Sequence, residues 1–405
     1  MSTASQQKYL GQGGLVAFIT VMNMFIPLST DLYLPALPSM SGYFQVSATL
    51  TNLTLVSFFF FYAVGTLLWG PPSDKYGRKP ILILGTAIYA AASVGCALSV
   101  NVYMMIVMRI LQGLGAGSIT SVSMALIKDC FQGQRRENIL AVVQSMAGIA
   151  PMVAPILGAL ILQFTTWRAT FWLLAIIGTL CLVTAFFYQE TLPEAERYEG
   201  TLLGSLGRLL VVGRQMQFLA PTVIFALYSL PFMGYIAISS YIYVDYFGLS
   251  EQVYSYFFAA NACVSLVGPI LYVKFFRRFN KRAFATGSMV LAIVCGAAML
   301  TVGKWSPWLF LISFAPFSLM GTAVRPFSTN IMLDQVQSDT GSASSLINAI
   351  NTVMGSIGMV AASMAWSNIV SGLGLIIAVV SLAELLLWQA LLHSKVQLVG
   401  LDKVS

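Results

Sequence analysis

Long apolar runs separated by short polar connections dominate the chain. Residues 15–28, 50–70, 81–99 and 373–392 are almost continuously hydrophobic. The strands of a membrane barrel alternate apolar and polar positions over short segments, and these runs do not alternate. Each approaches or exceeds the roughly 20 residues that a helix needs to cross hydrocarbon. A helix also satisfies its backbone groups within its own segment, as lipid demands. Hydrophobic windows place twelve spans near 15–38, 50–70, 81–99, 102–127, 139–162, 168–188, 217–240, 251–273, 283–303, 306–331, 341–366 and 370–392. The longest polar stretch, 189–216, divides them into two six-helix bundles, 15–188 and 217–392, with terminal segments 1–14 and 393–405. An even number of spans puts both termini on one side.

Composition supports the pattern. Of the 405 residues 58% are hydrophobic and 9% charged, whereas soluble domains carry about 25% charged residues. A chain this apolar needs lipid to cover it, so the expected class is an all-α membrane protein. Segment 1–14 is polar and lacks a short apolar core followed by a small-residue cleavage site, so the first span is expected to be retained. Charge then gives the orientation. Lys75, Arg78 and Lys79 follow span 2, and Lys128, Arg135 and Arg136 follow span 4. Arg197, Arg208 and Arg214 follow span 6, and Lys274, Arg277, Arg278, Lys281 and Arg282 follow span 8. Lys8, Lys395 and Lys403 join them at the termini, while the opposite loops hold only Arg168 and Lys304. By the positive-inside rule the termini and the basic loops are cytoplasmic. The net charge of +7 is therefore mostly topology, and a nucleic-acid partner loses its main support. Five cysteines, mostly inside spans, suggest packing rather than a disulfide framework or a metal site. A single histidine, His393, leaves no metal-ligating or catalytic cluster of the H-E-x-x-H kind, so no enzyme, metal or cofactor is expected.

Four charges fall inside spans: Asp31, Arg109, Arg325 and Glu384. Intramembrane ionisable groups are expensive and mark functional sites by default. Asp31 lies in PLSTDLYLPALP, bracketed by Pro27, Pro35 and Pro38, seven residues before the outer end of span 1; Arg109 lies seven residues after the outer start of span 4. Equal depth predicts that the two interact, directly or through water. Burial favours the neutral acid and an arginine favours the anion, so a carboxyl held between them can exchange a proton. Ser29, Thr30 and Asp31 are also good capping residues for a broken helix. Two features recur half a chain apart: basic turns close spans 2 and 8, and glycines mark spans 5 (Gly148, Gly158) and 11 (Gly355, Gly358). They fit two pseudo-symmetric halves with a site between them near the midplane.

Several stretches are more specific. GPPSDKYGRKP, from Gly70, packs Asp74, Gly77, Arg78 and Lys79 into a tight loop between spans 2 and 3. Span 4 reads RILQGLGAGSI from Arg109, and span 5 reads GIAPMVAPILG, with Pro151, Pro155 and Gly158. These resemble the loop signature, the R-x-x-Q-G-x-G-A motif and the antiporter motif of the major facilitator superfamily. TDLYLPALP, WRATFW and GSASSL together resemble its bicyclomycin/chloramphenicol-resistance (Bcr/CflA-type) drug:proton antiporters. The chain departs from that branch at Arg325, where an apolar residue is expected, at Phe327, where asparagine is usual, and at Glu384.

The resemblance implies the major facilitator fold in a bacterial plasma (inner) membrane and a monomeric, proton-coupled multidrug exporter working by alternating access. The proton is the coupling ion and no other cofactor is implied. Asp31 and Arg109 would carry coupling. Thr30, Gln112, Gln144, Ala147, Pro151, Tyr235, Ser239, Asn261 and Arg325 would face the substrate, a small amphiphilic compound. Gly70, Asp74, Gly77, Arg78, Lys79, Pro155 and Gly158 would gate. The alternative in the same fold is an exporter of a metabolite such as a sugar, amino acid or siderophore.

Overall fold

A computed structural model describes residues 9–198, 207, 209, 211–336, 340–394, 396, 398–399 and 401. Lys8, Arg208, Lys395 and Lys403 of the expected basic face, and parts of the terminal and central segments, lie outside the described residues. Among the described residues there is no strand, and twelve helical stretches are long and apolar enough to cross a membrane. The chain forms two compact units, residues 1–206 and 207–405.

The first unit contains α1 (Gly11–Asp31), α2 (Leu37–Phe44), α3 (Ala48–Tyr76), α4 (Arg78–Ala97), α5 (Val102–Cys130), α6 (Gly133–Phe164) and α7 (Arg168–Phe187). The helix of the first span begins at Gly11, so part of the expected N-terminal segment is already helical. This span is also not one helix to residue 38. α1 ends at Asp31, a 3-10 turn covers Leu34–Ala36, and α2 continues the crossing to Phe44. Proline causes the interruption: Pro35 has no N–H for the Asp31 carbonyl, and its ring crowds the preceding turn. α3 and α5 overrun their expected ends at both loops, carrying the basic motif onto helical backbone.

The second unit contains α8 (Met216–Ala226), α9 (Ser229–Ser240), α10 (Glu251–Lys274), α11 (Lys281–Thr301), α12 (Pro307–Asp334), α13 (Thr340–Ala362) and α14 (Ile369–His393). Span 7 is interrupted too. α8 stops at Ala226, α9 starts at Ser229, and a π-helical turn, Tyr241–Tyr246, extends α9 beyond the expected end at 240. Pro231 accounts for the break, because it cannot donate to the Leu227 carbonyl, which accepts from Leu230 N instead at 3.0 Å. The C-terminal segment folds back on its own unit rather than trailing away: Leu401 is buried in a cluster with Phe225, Phe327 and Trp388, and Gln335 bonds both the N–H and the carbonyl of Val399.

The same helix pairings recur in both units. α1 packs on α6 as α9 packs on α13; α3 on α5 as α10 on α12; α4 on α7 as α11 on α14. Small residues set the closest approaches, as expected where lipid removes the hydrophobic drive between helices. A Cβ at Gly158 of α6 would overlap the Leu32 carbonyl, and one at Gly358 of α13 would overlap the Leu230 carbonyl. Gly65 meets the backbone of α5, and Gly268 meets the backbone of α12.

Candidate functional site

Arg109 is the hub of the first unit and is 0% exposed. Its Nε donates to the Thr54 carbonyl at 3.1 Å, and Nη1 donates to the Ser29 carbonyl at 2.9 Å and to Gln112 Oε1 at 2.6 Å. Nη2 donates to Tyr33 Oη at 3.3 Å. The guanidinium lies 4.3 Å from the Phe58 ring centroid and 4.7 Å from that of Tyr33. Gln112 passes the network to α4 by donating to Ser93 Oγ at 2.8 Å, and Ser29 Oγ and Tyr89 Oη share a hydrogen bond of 2.5 Å. A buried cation is tolerated only when its donors are used. Here backbone carbonyls, an amide oxygen, a phenol and two aromatic faces use them.

Asp31 sits beside this network and is 5% exposed. Its Oδ1 accepts from Thr30 Oγ1 at 2.9 Å, and Thr30 Oγ1 also reaches the Ile26 carbonyl at 3.0 Å. Among the described residues no ion pair joins Asp31 to Arg109. The arginine reaches the chain on either side of the aspartate, at Ser29 and Tyr33, so the depths agree and the directions differ. Ser29 and Tyr33 are four residues apart and present one side of the chain, while a residue midway between them projects to the other. Depth was legible from residue counts; direction depended on the backbone through the proline-interrupted turn.

The remaining substrate candidates divide between environments. Thr30 and Gln112 are buried within the Arg109 neighbourhood. Gln144, Ala147 and Pro151 lie at three- and four-residue spacing on one stripe of α6, with Gln144 exposed and the other two half-buried. In the second unit Tyr235, Ser239 and Asn261 are buried. Ser239 Oγ and Tyr254 Oη are 3.0 Å apart, while Tyr235 Oη and Asn261 Oδ1 have no hydrogen-bond partner among the described residues. Tyr235 stacks on Phe314 with ring centroids 4.0 Å apart. Arg325 is exposed, and its guanidinium makes no hydrogen bond or ion pair among the described residues.

The loop motif forms a tight cluster within the first unit. Arg78 is buried, pairs with Asp74 at 2.5 Å and Asp129 at 3.0 Å, and donates to Ser73 Oγ at 2.8 Å. Gly77 has φ +103°, a conformation that favours glycine, and a Cβ there would crowd Glu190 Oε2. That carboxylate oxygen accepts from Lys79 N at 2.9 Å at the start of α4, where the helix dipole favours an anion, and Lys79 Nζ donates to the Phe186 carbonyl at 2.8 Å. Gly70 has open space around it, so no close approach explains it. Pro155 and Gly158 are buried on α6. Sequence reasoning missed Asp129, Glu190, Tyr33 and Phe58. The first two had a signal, as acids flanking a loop rich in arginine and lysine; the two aromatics had none among so many others.

Comparison with known proteins gives the family. Residues 15–359 match the model of the Major Facilitator Superfamily. The chain is 29% identical to YdgK, an MFS-type transporter of Bacillus subtilis (strain 168), over 82% of this chain and 84% of the relative. It is 26% identical to a bicyclomycin resistance protein homolog of Haemophilus influenzae, over 85% and 87%, and 28% identical to a chloramphenicol resistance protein of Pseudomonas aeruginosa, over 76% and 73%. Among solved structures, a D-xylose-proton symporter superposes with a TM-score of 0.74 at 16% identity, covering 92% of this chain and 96% of the symporter. A peptide transporter POT superposes with a TM-score of 0.76 at 15% identity, covering 96% of each chain. At such identities these two speak for the fold alone. The match over most of its length, together with twelve helices long and apolar enough to cross a membrane, makes this chain a member of the Major Facilitator Superfamily: a multi-pass membrane transporter of small molecules, not an enzyme.

Proposed function

We propose that this transporter exports small amphiphilic compounds in exchange for protons by alternating access, and that Asp31 carries the coupling proton. The observation that supports this most directly is a buried carboxyl at the last residue of α1, next to a proline-made interruption and flanked by the two contacts of Arg109. Interrupted membrane helices are where transporters build ion and substrate sites. Arg109 acts as a positioning residue: it fixes the chain on both sides of Asp31 and holds a positive field at the same depth. A proton taken up by Asp31 from outside is released inside when the water-accessible side changes, and each charge moved against the potential corresponds to ~2.3 kcal/mol per 100 mV. The Arg78–Asp74–Asp129 cluster serves as the latch that holds one access state, since contacts made in one state and lost in the other are what such transitions use. The protein would reside in a bacterial inner membrane as a monomer, with both termini and the basic loops in the cytoplasm.

The names of the relatives suggest chloramphenicol and bicyclomycin as first compounds. In a host stripped of its own exporters, the wild-type chain is expected to raise resistance to at least one such compound. Asp31→Asn is expected to abolish that resistance at equal membrane abundance. Resistance that survives Asp31→Asn refutes the coupling role. No resistance to any compound favours metabolite export, a reading that Arg325 supports, because an exposed cation in the tenth span suits an anionic substrate better than a cationic drug.

A further inference from the structure

Glu384 is an intramembrane carboxyl that the proposed coupling does not use. It lies on α14, about 14 Å from the His393 end at 1.5 Å per residue, and is 3% exposed. It has no hydrogen-bond or ion-pair partner among the described residues. One turn further on, on the same face, Trp388 is fully buried with Nε1 also unpartnered. Unpartnered buried polar groups are rare and call for an explanation. A lone carboxylate in such a place is far costlier than the neutral acid, so the arrangement suits a carboxyl that holds its proton in this conformation.

What faces Glu384 suggests what happens when the proton leaves. Both α8 and α9 pack on α14, so the carboxyl's helix runs alongside the break in span 7. Tyr228, at that break, is within electrostatic reach of Glu384. Its hydroxyl donates to the Phe317 carbonyl of α12, its ring stacks on Phe317 with centroids 4.4 Å apart, and a Cβ at Gly321 would overlap that ring. Tyr228 therefore clamps the break of span 7 to α12. Cys295 of α11 reaches the same Phe317 backbone. Other titratable groups lie on elements packed against α14, and the π-helical turn carries Tyr241, Tyr243, Asp245 and Tyr246. Tyr235 of α9 stacks on Phe314, and Lys281 and Arg282 open α11 at its other end. Tyr246 and Lys304 are joined to Asn368 at the start of α14, about 22 Å from Glu384 along the helix. α13 carries no titratable side chain.

We propose that Glu384 is a second proton-binding group of this transporter, and that loss of its proton draws the Tyr228 hydroxyl off the Phe317 carbonyl. The carboxyl O–H bond breaks, its electron pair stays on the carboxylate, and the proton passes to water. Tyr228 Oη then donates to the carboxylate, a charge-assisted bond stronger than the neutral one it replaces. The clamp between span 7 and α12 opens as a result, which links protonation in the second unit to movement of a broken helix. This extends the reading of a proton-coupled carrier without depending on its substrate.

The test is infrared titration of the purified full chain in lipid from about pH 5 to about pH 9, the range in which a working acid–base group must change state. Wild type minus Glu384→Gln is expected to show a protonated-carboxyl band that disappears across this range, and Asp31→Asn is expected to retain it. Tyr228→Phe removes the donor to the carboxylate and is expected to make proton loss about tenfold less favourable, moving the midpoint up by about one pH unit. It also keeps the proposal testable if Glu384→Gln fails to fold. A band that persists unchanged across the range, or a midpoint indifferent to Tyr228→Phe, overturns the inference. A chain that confers no resistance while Glu384 still titrates refutes drug export and leaves this inference standing.

Discussion

Arg109 shows what a cation must find before a membrane protein interior tolerates it. Five donors in a rigid fork meet carbonyls from α1 and α3, the amide of Gln112 and the phenol of Tyr33, and the guanidinium lies over the rings of Phe58 and Tyr33. Lysine keeps the charge but is a compact ammonium with neither fork nor plane. Arg109→Lys, with three donors, is therefore expected to leave at least one of the four acceptors unmatched, at about 1–3 kcal/mol for each buried group left without a partner. A lower thermal midpoint in detergent, with transport into inverted vesicles reduced at least tenfold, would bear this out. Asp31→Asn is the informative contrast, because asparagine can still accept from Thr30 Oγ1 and should leave the midpoint unchanged while removing transport. A midpoint for Arg109→Lys equal to that of wild type would mean that the network contributes little to stability.

At the scale of elements, close helix approach rather than apolar area distinguishes the pairs. Gly158 and Gly358 each admit a backbone carbonyl of an interrupted helix, Leu32 in one unit and Leu230 in the other, with no room for a Cβ. Gly158→Val and Gly358→Val should each force a helix pair apart, with overpacking of about 1–3 kcal/mol or more. Gly70→Ala, with nothing near its Cβ, should be silent in stability. Thermal unfolding of the three variants checks this, and equal midpoints would contradict the packing argument. The spans themselves were legible because hydrophobic length is a one-dimensional property. Pro35 signalled the interruption after Asp31, and Pro231 signalled the one before α9, although the sequence reading drew span 7 as continuous. The π-turn at Tyr241–Tyr246 had no such marker, since a wider helical turn depends on the packing around it. For the same reason the meeting of Arg109 with Ser29 and Tyr33, rather than with Asp31, could not be counted out from residue numbers.

The whole molecule is organised by where charge can meet water. Within the first unit, Arg78 is neutralised by Asp74 and Asp129, and the start of α4 is capped by Glu190, so this loop is a folded cluster as well as a topological signal. The opposite loops are poor in basic residues: Arg168 packs on Tyr43 and Trp167 and donates to the Ser99 carbonyl, and Lys304 sits in the short turn before α12. If positive charge sets orientation, the loops at Lys75 and Lys304 face different compartments, and single cysteines read this directly. Cys263 is exposed, so the labelling background must first replace the five native cysteines with alanine or serine. In intact cells, Lys304→Cys is expected to react with a membrane-impermeant maleimide, and Lys75→Cys only after permeabilisation. The reverse pattern would invert the molecule, and with it the direction in which a proton taken up by Asp31 is delivered. An inverted exchanger in the same membrane would draw its substrate inward, so this labelling result bears on export as directly as any resistance measurement.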